Sequence, residues 1–285
     1  MAADESESQP QVTLAEFLRE ACREELARAL LLLTDPEGDR DKAVHESRKS
    51  VRRVRAWLRL GDRHRRKALQ PVDAQLRALR RTIGPLRDGY SRIEALDRLR
   101  KRKDVAPLRT PLAAARQKLA DALERRWELR PRHGRAWKGL LSGLAKLLDG
   151  IGEWPLQGLT EAEARRALRR AHRRACAGRR ACTGTSGAVR RHAWRGRVRI
   201  LLLQTQLLQQ RALVPENPPL KRLAQSLGNE NDLALVSRVL GGLGLPARVC
   251  MGLRAMVQQQ RRELAKRNDA RAALLLKAKL APRLR

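Results

Sequence analysis

Aromatic side chains are scarce: the 285 residues include one Phe, one Tyr and five Trp. Proteins that hold single-stranded nucleic acid by stacking bases need such rings close together. Here Trp57, Trp127, Trp137, Trp154 and Trp194 are scattered, with no Phe/Tyr-rich platform like that of an RNA-recognition sheet. β-Branched residues are sparse as well, which argues against sheet. Cys22, Cys176, Cys182 and Cys250 form no CxxC pair, and the lone short interval from Cys176 to Cys182 is a poor zinc signature. Reduced, unpaired thiols and no metal site are therefore expected. The longest apolar runs, "LARALLLL" and "ILLLQTQLL", are too short to span a bilayer, so no transmembrane segment is expected. The opening "MAADESESQPQ" is acidic and polar where a secretory leader would be basic and then apolar, and a cytoplasmic protein is the resulting expectation.

Positive charge is what the chain has in excess. Lys and Arg number 63 against 30 Asp and Glu, a formal net charge of +33. Self-repulsion on that scale points to a polyanionic partner: nucleic acid, an anionic membrane surface or another polyphosphate. The shortage of stacking rings favours a partner that offers phosphates only over one that is read by its bases.

Leu, Ala, Arg, Gln and Glu dominate, and apolar residues recur at intervals of three and four, so nearly every segment reads as helix and the fold class as all-α. A disordered N-terminus is expected over 1–10. Helices are expected near 11–33, 40–60, 63–82, 86–103, 107–129 and 134–149, broken by "TDPEGD", "GD", "IGP", "AP" and "PRHG". Residues 150–159, "GIGEWPLQGL", read as a linker, after which "TEAE" from Thr160 forms a candidate capping box. Further helices fit 160–178, 187–212, 219–228, 230–241 and 245–275, with 277–285 a frayed tail.

The segment "VHESRKSVRRVRAWLRL" (44–60) carries five arginines, one lysine and one histidine. Like charges three and four residues apart destabilise a helix by a few tenths of a kcal/mol per pair, about 0.2–0.5, so something should offset them. The segment has an echo in "RHAWRGRVRILLLQ" (191–204): His45, Arg48, Val51 and Arg52 match His192, Arg195, Val198 and Arg199. Downstream of each lies a glycine and an acid-bearing stretch expected to be a turn, "IGPLRDGYSRIEAL" and "LGNENDLALVSRVL", which places Asp88 and Asp232 at matching positions. The two signatures are offset by 147 and 144 residues, and a duplicated helical unit is the economical reading. The first repeat then covers 11–149 and the second 160–276. At about 100 degrees per residue, His45, Arg48, Arg52, Arg55 and Arg59 fall in one arc of roughly 80 degrees, beside an apolar stripe of Val44, Val51, Val54 and Leu58. The second unit keeps His192, Arg195 and Arg199 but continues as Leu202 and Gln206.

These residues resemble the CHAD domains, the conserved histidine α-helical domain family. The resemblance rests on "VHESRKSVRRVR", "RRHAWRGRVR", "GPLRD" and "GNEND" in that order, and it covers nearly the whole chain. It implies two pseudo-twofold-related antiparallel helical bundles with a basic central groove that binds inorganic polyphosphate, and a protein that locates to polyphosphate granules. Carried over position by position, it points to His45, Arg48, Lys49, Arg52, Arg53 and Arg55, and to His192, Arg195 and Arg199. The family usually extends the second motif with further basic residues, where this chain has Gly196, Ile200 and Leu202. The preceding "EARRALRRAHRRA" sets Arg166, Arg170 and Arg173, and Arg165, Arg169 and His172, at helical spacing, as a second basic wall or as a solvated basic face.

His45 and His192 have two readings: phosphate donors that strengthen when protonated, or structural rings bonded to a carboxylate such as Asp88 or Asp232. Asp88 and Asp232 themselves are expected to cap a following helix or to pair with an arginine. No HExxH, GxSxG, phosphate-binding Gly-rich loop or close carboxylate cluster for magnesium is present. The expectation is a binding protein, not an enzyme, without a cofactor. A nucleic-acid or nucleoid-associated protein that grips the phosphate backbone without base readout is the alternative.

Overall fold

The computed structural model describes residues 12–102, 106, 108–129, 131, 134–182 and 187–277, all helix, turn or coil with no strand among them. The expected disordered start at 1–10, the tail beyond 277 and most of the interval between the helices expected at 160–178 and 187–212 that follows Cys182 lie outside these residues. Among the described residues ten α-helices follow in order: α1 (Leu14–Thr34), α2 (Arg40–Trp57), α3 (Arg63–Ala68), α4 (Gln70–Arg100), α5 (Arg109–Glu128), α6 (Arg135–Asp149), α7 (Glu161–Arg180), α8 (Ala188–Gln210), α9 (Pro218–Val239) and α10 (Ala247–Lys277).

Side-chain caps set half of the starts. Thr13 and Thr160 each form a capping box, with Glu16 and Glu163 as the reciprocal partners, so the expected box at "TEAE" is present. Asp39, Asp62 and Asn217 cap α2, α3 and α9 through side-chain oxygens that accept from backbone N–H groups.

Two expected breaks are absent, and this is a correction. The "IGP" at 83–85 and the "GNEND" at 228–232 are not turns: α4 runs unbroken through Gly84 and Pro85, and α9 through Gly228. Propensity argues for a stop at both places, but each helix is held by buried residues on either side of it. Leu76, Leu79 and Ile83 precede Pro85, with Ile93, Leu96 and Leu99 after it; Leu223, Ala224 and Leu227 precede Gly228, with Leu233 and Val236 after it. Fully burying one such leucine contributes about 1.5–3 kcal/mol, against a cost of about 1 kcal/mol for a helical glycine and about 3 for a proline.

Helices pack in the same neighbour order in the two halves: α1 on α2, α2 on α4 and α4 on α5, then α7 on α8, α8 on α9 and α9 on α10. One continuous apolar core runs through both halves. The segment 150–159 contributes to it, because Ile151, Trp154, Leu156 and Leu159 are buried there. The halves meet where α2 crosses α8 and where α4 packs on α9. At the second contact Arg98 reaches Asp232 at 3.1 Å. No described helix is long and apolar enough to cross a membrane.

Close approach at one glycine helps seat α8. A Cβ on Gly178 of α7 would lie 2.9 Å from Cδ1 of the fully buried Trp194, so only glycine lets the two helices come this near without displacing the indole.

Candidate anion-binding site

The two histidine-bearing helices, α2 and α8, touch directly. Trp57 donates its indole N–H to the carbonyl of Leu203 at 3.0 Å, and Gln204 donates its side-chain amide to the carbonyl of Ala56 at 3.0 Å. Both bonds are buried, which makes them costly to break and fixes the crossing. A basic cavity lies on each side of α8 at this crossing.

The first cavity, about 160 Å³, is lined by Lys49, Arg52 and Arg53 of α2, Arg199, Leu202, Leu203 and Gln206 of α8, and Lys221 and Gln225 of α9. It thus joins the first basic motif to the second across the crossing, and no carboxylate lines it. Arg53 and Lys49 are tethered to glutamates. Arg53 bonds both oxygens of the buried Glu25, at 3.0 and 2.9 Å, and Ser50 donates to the same carboxylate at 2.5 Å. Lys49 Nζ bonds Glu46 at 2.9 Å, an attraction that, despite partial burial, holds the Glu46 carboxyl below its ordinary value. Arg52 and Arg199 are half-buried on the facing walls.

The expected stripe on α2 divides, because α4 covers part of it and carries acids there. Arg48 turns to α4 and donates to the Gly84 carbonyl at 3.2 Å and to Asp88 at 3.3 Å. Arg55 donates through Nε to Asp73 at 2.7 Å. Arg59, past the end of α2, enters the second cavity. Neither Arg48 nor Arg55 lines either cavity. Asp88 and Asp232 both pair with arginines, Arg48 and Arg98. Of the two roles expected for them, pairing with an arginine is the one present; neither begins a helix, so neither caps one.

Burial raises the Asp73 carboxyl, but the Arg55 hydrogen bond and the nearby charges of Arg55, Arg59 and Arg77 more than compensate, so its pKa is lowered. Its folded value then lies below its unfolded one, and the stability it contributes is present above the ordinary carboxylate range and lost as pH falls through the lowered value. Asp73→Asn is expected to melt earlier than the parent at pH 7 and to narrow the gap as the pH is lowered from about 5 toward 3. Thermal melts across that range check it; a gap that stayed constant would show that the pair does not titrate.

The histidines differ. His45 is half-buried, edge-on to Tyr90 with ring centroids 5.9 Å apart, and its Nε2 lies 3.9 Å from Glu46. His192 is exposed and its Nδ1 lies 2.7 Å from the Asn231 side-chain oxygen, which makes Nδ1 the donor and leaves Nε2 for solvent or ligand. Asp88 accepts from Arg48, and Asp232 from Arg98. Arg195 is half-buried one turn along from His192.

The α7 arginines separate similarly. Arg170 lines the second cavity, whereas Arg166 and Arg173 are exposed and Arg169 is half-buried, all three outside both cavities. Arg165 approaches Glu161 at 4.0 Å, and His172, whose pKa burial lowers, lies against Cys176. Lys221, Arg66 and Arg174 line cavities without belonging to the motifs, and Arg197 does so from within the second motif without being among the residues expected there. Arg174 extends the helical series from Arg170 by one turn, a signal present in the sequence; nothing in "PPLKRL" marks Lys221. No group of His, Cys, Asp and Glu able to hold a metal ion occurs among the described residues.

A family model described as the CHAD domain matches residues 14–241. The fold is similar to the crystal structure of the CHAD domain from the plant Ricinus communis, with a TM-score of 0.64 at 17% identity over 94% of this chain and 93% of that one. It is also similar to PptA from Streptomyces chartreusis, with a TM-score of 0.64 at 16% identity over 91% of this chain and 99% of that one. No curated protein matches the sequence.

Proposed function

Since this chain belongs to the CHAD domain family, a family known for polyphosphate-related proteins, we propose that it binds inorganic polyphosphate in the cavity where its two motifs meet and so associates with polyphosphate granules. The observation that carries this reading is the pairing of Arg52 with Arg199 across a cavity that has five basic lining residues and no acidic one.

Polyphosphate presents about one negative charge per phosphate and no base to read. Selectivity therefore comes from charge density and from donors spaced along the chain. Arginine suits it, because the planar guanidinium donates two parallel hydrogen bonds to phosphate oxygens where lysine offers a point charge. Tethering Arg53 and Lys49 to glutamates favours a preorganised wall, at the cost of part of their charge. Binding is stoichiometric, with no turnover and no metal requirement.

Competition separates this from a nucleic-acid role. Labelled long-chain polyphosphate is challenged with unlabelled polyphosphate or with duplex DNA matched in phosphate, at 50 and 200 mM salt. Both affinities fall with salt, as counterion release requires. Polyphosphate is expected to be the stronger competitor at both concentrations. Equal displacement by DNA would sink the proposal in favour of a general phosphate-backbone binder, and slow metal-dependent shortening of the chain would replace it with an enzymatic role.

A further inference from the structure

The second cavity, about 490 Å³, lies on the other side of α8. Around that helix Arg197, Ile200 and Gln204 face it, while Arg199, Leu203 and Gln206 face the motif cavity. At 100 degrees per residue the two sets occupy opposite sides, so one ligand does not span them by lying along a single face. The volume falls in the range of small-ligand pockets, about 300–1,000 Å³.

Five arginines line it: Arg59, Arg66, Arg170, Arg174 and Arg197, with no carboxylate among the lining residues. Three are aimed by backbone carbonyls: Arg170 donates to Gly61 at 2.8 Å, Arg66 to Asp62 at 3.0 Å and Arg197 to Arg174 at 3.5 Å. Such bonds orient a guanidinium and use one or two of its five N–H groups, but they supply no countercharge. Along α7, Ala167 and Ala171 alternate with Arg170 and Arg174 on one face, so the small side chains leave room between the charged ones. Burial lowers the pKa of Arg59 and of Arg170; Asp73 offsets part of this at Arg59, while Arg174 lowers both further, a repulsion that a bound anion would relieve.

We infer that this cavity is a separate site for a compact triphosphate group, carried either by inorganic tripolyphosphate or by a nucleoside triphosphate. Five forked donors around a cavity of about 490 Å³ match a short, multiply charged phosphate chain. The smaller motif cavity, about 160 Å³, is lined from α2, α8 and α9 and suits a chain that continues past it. This inference does not rest on the polyphosphate reading of the motif cavity.

The test is calorimetric titration of the full chain with tripolyphosphate, ATP or orthophosphate, comparing the parent with R174Q/R197Q and R52Q/R199Q. Arg174 and Arg197 are both exposed, so the fold should persist, and equal thermal melts verify it. Tripolyphosphate is expected to bind one per chain and to lose about tenfold or more in R174Q/R197Q, since each guanidinium–phosphate bond is charge-assisted. In R52Q/R199Q it should lose less than about threefold, a residual of the long-range field. Equal affinities for ATP and tripolyphosphate would identify the triphosphate group as the whole determinant; a tenfold preference for ATP would add its nucleoside. A loss as large in R52Q/R199Q as in R174Q/R197Q, or the absence of saturable one-to-one binding, would overturn the inference. Failure of the polyphosphate reading registers elsewhere, as long-chain affinity indifferent to R52Q/R199Q.

Discussion

Reversing the charge at Arg52 and Arg199 together is expected to lower long-chain polyphosphate affinity by a factor of a hundred or more. Two charge-assisted hydrogen-bonding residues are lost, at about 1.5–3 kcal/mol each, and two carboxylates are placed in a cavity whose other charged lining residues, Lys49, Arg53 and Lys221, then have partners inside the protein. A factor of a hundred corresponds to about 2.7 kcal/mol, less than the sum of the two contacts. Net charge alone would also weaken binding, so the control is R262E/K266E, the same change in charge on exposed residues of α10. Fluorescence anisotropy with labelled polyphosphate should show that control losing only a few-fold, and less at higher salt. Equal losses in the two variants would mean that the chain holds polyphosphate through its overall field, with no site at the motif crossing.

Glu230→Ala is expected to cause the largest loss of stability of any single substitution in the α8–α10 interface. Glu230 is buried, accepts from Arg191 through both carboxylate oxygens and accepts from the fully buried Asn268 at 2.9 Å. Arg191 also reaches Asp269 at 3.1 Å and lies over the Trp194 ring. Burial alone would lower the Arg191 pKa, but its bonds to Glu230 and Asp269 win and raise it. Removing the carboxylate leaves a nearly buried guanidinium with Asp269 alone and strands the Asn268 amide. Breaking a buried pair in this way costs about 3–5 kcal/mol, a fall in Tm on the order of 10 °C for a chain of this size. Glu230→Gln, which keeps the shape and one acceptor, should lose clearly less. A Glu230→Ala melt within about 2 °C of the parent would show that the network contributes specificity and little stability.

Helix positions and caps were legible because they depend on near neighbours in sequence. Thr160 and Glu163 are three residues apart, and Val44, Val51 and Val54 are buried together as their spacing requires. The misread breaks at Gly84–Pro85 and Gly228 are of the opposite kind. Local propensity says stop there, and burial along two long helices overrides it.

The candidate site shows the same division. Sequence by itself determined an all-α chain of high positive charge, two matched histidine and arginine motifs, and the angle at which each basic residue leaves its own helix. Only the tertiary structure decided what each residue meets. Arg48 and Arg55 share an arc with Arg52, yet they face Asp88 and Asp73 of α4, while Arg52 faces Arg199 from the far half. Periodicity fixes a direction about one helix axis; which carboxylate or cation occupies that direction depends on how the helices pack, and those partners lie from 18 to 147 residues away in sequence. The second cavity is the extreme case. Its five arginines come from α3, α7, α8 and the turn after α2, and they form one anionic-ligand environment only once those elements have been brought together.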